Sequence, residues 1–247
     1  VIKDYGRYTF TKWERILYFL EGAAIGGVIG YLFYSHLIGV LFLMPYGFLY
    51  LNHAKMRLIE ERKWQLNLQF RDALTGISAA LNAGYSMENA ISHAAHDLNL
   101  IYSKDENIIV ELEGIINQIN TNKSIEEAWD DLARRSKVED ISNFTEVLVT
   151  GKRTGGDLIK IIKDTETIIN DKIDVKREIK TIISGKKFET KIMCSIPFGI
   201  VCYLKIFSPR FLDPVYHNLF GVIFMTVLLA VYYMAYHLAL KITEIEI

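Results

Sequence analysis

His93, His96 and Asp97 fall at i, i+3 and i+4, a spacing that gathers three potential metal ligands on one face of a helix. One helix alone supplies neither a complete zinc ligand set nor the second shell that orients it. These residues therefore read as a solvated or hydrogen-bonded face. Gly151-Lys152-Arg153-Thr154-Gly155-Gly156 is glycine-rich, but Asp157 follows where a phosphate-binding loop needs Lys and then Ser or Thr, and no strand precedes it. That stretch reads as a helix–helix joint, not a nucleotide site. The two cysteines, Cys194 and Cys202, lie in one apolar run, where they pack as small apolar groups and are not activated as thiols. Glu21, Lys205 and His237 are scattered through apolar stretches, whereas a transporter or intramembrane protease concentrates polar groups near mid-membrane. The reading is a non-enzyme with no catalytic residue, no cofactor and no metal. A formal net charge of -1 gives no argument for a nucleic-acid partner.

One charged cluster is dense enough to matter. Glu126, Glu127, Asp130 and Asp131 precede Arg134 and Arg135 on one expected helix, with opposite charges at i, i+3 and i+4. Such pairs usually mark a stabilised, solvated face, and surface pairs contribute little energy. The same face is a candidate docking surface, and Glu126, Asp130, Arg134 and Arg135 are its candidate contact residues.

These residues must be positioned by helices, and the chain is punctuated accordingly. In Asn82-Ala83-Gly84-Tyr85-Ser86-Met87-Glu88-Asn89-Ala90, Gly84 is suited to the left-handed conformation that closes one helix, and Ser86 to capping the next. Glu88 then stands in the first turn, where an acid is favoured. A related joint is Asn122-Lys123-Ser124-Ile125-Glu126-Glu127-Ala128, with Ser124 and Glu127 at capping-box spacing. A looser third is Gly155-Gly156-Asp157-Leu158, with Asp157 as cap. Upstream, Ile59, Leu66, Phe70, Leu74, Ile77 and Leu81 form one apolar stripe at helical period. Helices are expected near 86–100, 105–121, 124–136 and 138–152, and a sixth from about 156 without a proline until Pro197. Joints this short imply antiparallel neighbours.

The ends of the chain are apolar. Residues 16–51 carry no charge except Glu21, enough for two short spans near 16–34 and 37–53, with the turn at Ser35-His36. A cleaved signal peptide accounts for only a fraction of that run. Gly22, Gly26 and Gly30 repeat at the small-xxx-small spacing that lets membrane helices approach closely, and Pro45 can kink the second span. Two more spans are expected at 192–207 and 219–240, separated by a loop at Ser208-Pro209-Arg210-Phe211-Leu212-Asp213-Pro214. Lys205 can snorkel to the interface, and Tyr232, Tyr233 and Tyr236 suit an aromatic belt.

Basic residues sit on one side of these spans: Lys3, Arg7, Lys12 and Arg15, then Lys55, Arg57, Arg62 and Lys63, then Lys180, Lys186, Lys187 and Lys191. The opposite side has only Arg210. The positive-inside rule places both termini and the central domain in the cytoplasm. The expected fold is all-α and polytopic, with two N-terminal and two C-terminal transmembrane helices flanking a cytoplasmic six-helix bundle. Its parts are a tail at 1–15, a hairpin at 16–53, the bundle at 54–191, a second hairpin at 192–240 and a tail at 241–247.

With these residues placed, the chain resembles the F-domain family of bacterial type II secretion systems and type IV pili. Within it, the likeness is to TadB/TadC-type platform proteins of tight-adherence pili. It is carried by residues 81–91 around Gly84 and Ser86, by 124–135 from Ser124 to the paired arginines, by Gly155-Gly156-Asp157-Leu158, and by the basic helix at 179–191 entering a span with Pro197. The likeness covers roughly residues 66–200, and the flanking spans match a single-domain layout. Asn122-Lys123 stands where the family often has a glycine. The resemblance implies an inner-membrane platform of a secretion or pilus machine. Its implied partners are a cytoplasmic secretion ATPase, a second platform protein or a copy of itself, pilin subunits and the lipid bilayer. The other reading open at this point is a membrane-anchored helical scaffold or signalling protein that binds a cytoplasmic regulator.

Overall fold

A computed structural model describes residues 3–154, 157–216 and 218–243, with the backbone alone at positions 158, 209, 219 and 243. Among the described residues the chain is helical without strands: α1 (Lys12–Tyr34), α2 (Leu37–Leu43), α3 (Tyr46–Asn82), α4 (Met87–Leu98), α5 (Asn107–Asn120), α6 (Ile125–Ser136), α7 (Glu139–Thr154), α8 (Leu158–Phe207), α9 (Pro209–Tyr216) and α10 (Leu219–Thr243). It divides into two compact units, one of Val1–Thr9 with Met56–Val175 and one of Phe10–Lys55 with Lys176–Ile247.

The first unit is built around the α3 stripe. Ile59, Leu66, Phe70, Leu74, Ile77 and Leu81 are all buried, as their spacing predicts. From α6 and α7, Trp129 and Phe144 meet Phe70 edge to face at ring-centroid distances of 5.9 and 5.5 Å, and each other at 5.0 Å. Ile108, Ile109, Leu112 and Ile115 of α5 and Ile162, Ile169 and Ile173 of α8 complete the same core.

Its helices are reversed by backbone closures. Gly84 takes φ +92°, its N–H donates to the Leu81 carbonyl at 3.0 Å, and the Tyr85 N–H reaches back to Ala80 at 3.2 Å. That is the Schellman pattern, which satisfies the last carbonyls of α3. Ser86 Oγ then accepts from the Asn89 N–H at 3.4 Å, starting α4. The next joint uses the same device with Asn in place of Gly. Asn122 has φ +64°, Lys123 N–H donates to Gln118 at 3.1 Å, and Ser124 Oγ accepts from Glu127 N–H at 3.2 Å. A third left-handed residue, Lys137 at φ +52°, closes α6, and buried Ser136 accepts from the Val138 N–H at 3.3 Å. Gly155 and Gly156 lie outside the described residues, but Asp157 Oδ1 accepts from the Ile159 and Lys160 N–H groups at 3.1 and 3.2 Å.

In the second unit α1 opens with Glu14 Oε2 accepting from the Thr11 N–H at 2.8 Å, and ends at Ser35, which is left-handed at φ +49°. Gly22, Gly26 and Gly30 are buried. A Cβ at Gly22 would stand 2.9 Å from Gly47 Cα, one at Gly30 would stand 2.5 Å from the Gly39 carbonyl, and one at Gly26 would strike the Leu43 carbonyl. The helix after the turn is interrupted at Met44 and Pro45, which separate α2 from α3, where the sequence suggests one kinked span.

The stretch expected as a Pro-punctuated loop is instead mostly the helix α9. Pro209 occupies its first position, where the missing N–H would have had no helical partner, and Phe211 N–H donates to Ser208 at 3.0 Å. Among the described residues, four helical stretches are long and apolar enough to cross a membrane: Lys12–Tyr34, Leu37–Asn82, Ile159–Phe207 and Phe220–Ile242.

Two outcomes follow from these close approaches. Gly26→Ala should destabilise the chain by about 1–3 kcal/mol, because the new methyl meets backbone that cannot move aside. Gly27→Ala, whose Cβ would meet only Val40 at 3.5 Å, should change little; thermal unfolding in detergent separates the two. At the second joint, Asn122→Ala should cost about 1–2 kcal/mol for its left-handed backbone, and Asn122→Gly should not, by the same measurement.

Candidate functional site

The four candidate docking residues of α6 do not share one exposed face. Arg134 and Asp130 are exposed, with side-chain exposures of 72% and 51%, and pair at 3.1 Å. Glu126 is half-covered and binds Lys152 of α7 at 2.6 Å. Burial works against its charge, but the Lys152 ammonium outweighs this and holds the carboxyl below its usual range. Arg135 departs from the expectation. It lies beside the inward stripe of Ala128, Trp129 and Leu132, and its side chain is only 16% exposed.

That arginine belongs to a polar cluster. Its guanidinium grips Glu111 of α5 with two bonds, 3.0 and 2.7 Å, and reaches Asp131 at 2.9 Å and the Lys3 carbonyl at 3.2 Å. Burial opposes its charge, yet Glu111 and Asp131 push its pKa above the ordinary arginine value. The Tyr5 side chain is fully buried against the same carboxylate. Its hydroxyl donates to Glu111 at 2.9 Å and its N–H to the Arg135 carbonyl at 3.0 Å. Burial first, then the Glu111 charge, pushes the Tyr5 phenol well above its ordinary range.

A second polar set joins three helices. Asp140 of α7, nearly buried, accepts from Asn67 of α3 at 2.7 Å and from Lys172 of α8 at 2.6 Å, and Lys172 also reaches Glu139 at 3.2 Å. Burial opposes the Lys172 charge, but the Asp140 and Glu139 carboxylates raise its pKa. Gln69 spans α3 and α5, donating to Glu106 at 2.8 Å and accepting from the Ile108 N–H at 3.2 Å. That second bond satisfies one of the orphan donors that every helix start carries. Tyr102 donates to Asp72 at 2.6 Å, and burial followed by that carboxylate pushes its hydroxyl up to about 12.

Glu111 and Asp140 were not among the expected site residues, yet each carries a signal in the sequence. Glu111 stands at i+3 from Ile108 and i-4 from Ile115, and Asp140 at i-4 from Phe144, so each is a carboxylate on an apolar stripe. Such a residue needs a partner.

A groove runs between α6 and α7. It encloses about 380 Å3 and is lined by Asp130 and Arg134 on one side and Ser142, Glu146, Thr150 and Arg153 on the other. His93 pairs with Asp97 at 3.1 Å and lies against the Tyr85 ring, so it is tied locally. Cys194 and Cys202 are free thiols, half-buried. Among the described residues, no three of His, Cys, Asp or Glu gather as metal ligands.

Removing one member of the buried pair should be costly. Arg135→Met strands the Glu111 charge and should lower stability by about 3–5 kcal/mol, whereas Arg135→Met with Glu111→Leu should recover most of it. Denaturant unfolding of the full chain in detergent, followed by Trp fluorescence, measures both.

These helices coincide with a known family. The family model for type II secretion system (T2SS), protein F, matches residues 73–204, just over half of the chain. The match begins inside α3, takes in the joints at Gly84, Asn122 and Lys137, and ends in α8. No curated protein and no solved structure matches the chain. The members of this family are structural platform proteins of type II secretion and type IV pilus-type machines. With that match running through its buried core and its helix joints alike, the chain belongs to the type II secretion system protein F family.

Proposed function

We propose that this chain is the inner-membrane platform of a type II secretion or Tad-type pilus machine, coupling a cytoplasmic secretion ATPase to pilin assembly or protein export. The observation that carries this reading is the family match over residues 73–204 in a chain whose described residues include four helical stretches long and apolar enough to cross a membrane. In this reading residues 16–53 and 192–240 are membrane hairpins, and the tails and residues 54–191 lie in the cytoplasm. The one-sided distribution of Lys and Arg around the spans supports that orientation. The single F-type domain between two hairpins supports the TadB/TadC-like layout, with a second platform protein or another copy of this chain as its neighbour in the membrane.

Coupling follows from how the chain is connected. The helix α8 runs 50 residues without a break, from Leu158 to Phe207. A displacement applied to the cytoplasmic domain is passed along it to the spans. The α6–α7 groove, with Asp130 and Arg134 on its rim and Glu126 beside it, is the proposed contact for the ATPase. Arg135 is excluded from that contact by its engagement with Glu111.

Crosslinking in native membranes with the full chain as bait should recover the secretion ATPase and a second four-span protein. Recovery of an unrelated cytoplasmic regulator alone would instead identify a membrane-anchored scaffold. A short flexible Gly/Ser insertion after Lys187 should leave the chain folded and inserted while abolishing pilus assembly or secretion. Normal assembly with the insertion in place would sink the coupling mechanism.

A further inference from the structure

We propose that a cleft formed by α1, α8 and α9 binds one anionic phospholipid, with its phosphate at the Lys205 ammonium and an acyl chain along α1. The proposal rests on reading these helices as membrane-spanning. The cleft encloses about 930 Å3, a volume within the range of small-molecule sites. Its α1 wall extends from Leu20 past Val28 to Ser35, which at 1.5 Å per residue is about 22 Å, room for an acyl chain. Ile206 of α8 and Leu212 of α9 add further apolar lining.

One end of this apolar cleft carries a cation. Lys205 Nζ donates to the Tyr31 carbonyl at 2.5 Å, lies 3.6 Å from the centre of the Tyr31 ring and 5.5 Å from that of Tyr216. A lysine that only snorkels extends clear of the apolar surface. This one is folded over an aromatic face instead. An ammonium has three donors, and the Tyr31 carbonyl takes one. Among the described residues no carboxylate stands within ion-pair distance of Lys205, although Asp213 lines the same cleft. An ammonium in an apolar setting, with donors left over after one backbone carbonyl, is stabilised by a counter-ion. The anion that a bilayer presents there, attached to a chain suited to the apolar wall, is a lipid phosphate.

The test uses the full chain, purified in detergent, stripped of lipid and offered dioleoyl phosphatidylglycerol or dioleoyl phosphatidylcholine, with bound lipid counted by native mass spectrometry. The two lipids share their chains and differ in net charge. Wild-type chain should retain phosphatidylglycerol about fivefold better, the preference that about 1 kcal/mol from one basic residue at a lipid surface provides. Lys205→Met should bring the two lipids to parity, Lys205→Arg should keep the preference, and Ala24→Trp, which fills the cleft, should lose both lipids. Equal retention of the two lipids by the wild-type chain, or an undiminished preference in Lys205→Met, would overturn the proposal. So would displacement of the lipid by inorganic phosphate, or disulfide-linked dimers of a Val28→Cys chain in place of bound lipid, since a second copy would then fill the cleft. Release of the chain from membranes by carbonate would mark failure of the membrane reading itself, apart from the lipid site.

Discussion

A helix can stop only where its last carbonyls find other donors, and this chain has only a few residues in which to stop one helix and start the next. That constraint governs the first unit. Gly84, Asn122 and Lys137 each adopt the left-handed conformation, at φ +92°, +64° and +52°, and each turns the chain at a helix end. Ser86 and Ser124 then accept from first-turn N–H groups of the following helix, and Ser136, the last residue of α6, accepts from the Val138 N–H in the joint before α7. Because closure takes only a few residues at the α3–α4, α5–α6 and α6–α7 joints, and the longer stretch 99–106 links α4 to α5, the helices α3 to α7 are brought back against one another and their apolar stripes meet in one core.

Packing alone leaves such a core free to slide, since one apolar stripe fits another in several registers. The buried polar pairs remove that freedom. Arg135 and Glu111 tie α6 to α5 through a two-point grip, and Tyr5 brings the N-terminal stretch onto the same carboxylate. Asp140 ties α7 to α3 and α8 through Asn67 and Lys172. Their worth lies less in net stability than in the penalty for any register that leaves one of them unpaired. This is also why Arg135 cannot serve a partner: a guanidinium already committed to two carboxylates has no free fork to offer.

The second unit obeys a different rule. Helices in hydrocarbon gain nothing from hiding apolar surface, so contact depends on how near backbones can come. The glycines of α1 bring it to within a Cβ's width of α2 and the start of α3 at Gly39, Leu43 and Gly47. Large apolar residues such as Leu37, Phe42 and Phe220 are left facing outward.

Much of this was legible in the amino-acid sequence, because it is local. Helix period, the closures at Gly84 and Asn122, the serine caps and the apolar stretches depend on residues within a few positions of one another, so spacing alone determines them. The closure at Lys137 was not legible, since lysine has no preference for a left-handed backbone; the tertiary structure imposes it. Neither was the helix at 209–216, where two prolines read as a loop although Pro209 suits a first turn. Which charges face solvent was decided only by the fold. Arg134 and Arg135 are neighbours of one type, and the α5 carboxylate 24 positions upstream turns one of them inward. The same holds for Lys205 and Tyr31, 174 residues apart, whose contact closes one end of an apolar cleft. Local pattern specifies the elements, but long-range pairing assigns partners to charges, and partners decide what each charge can do.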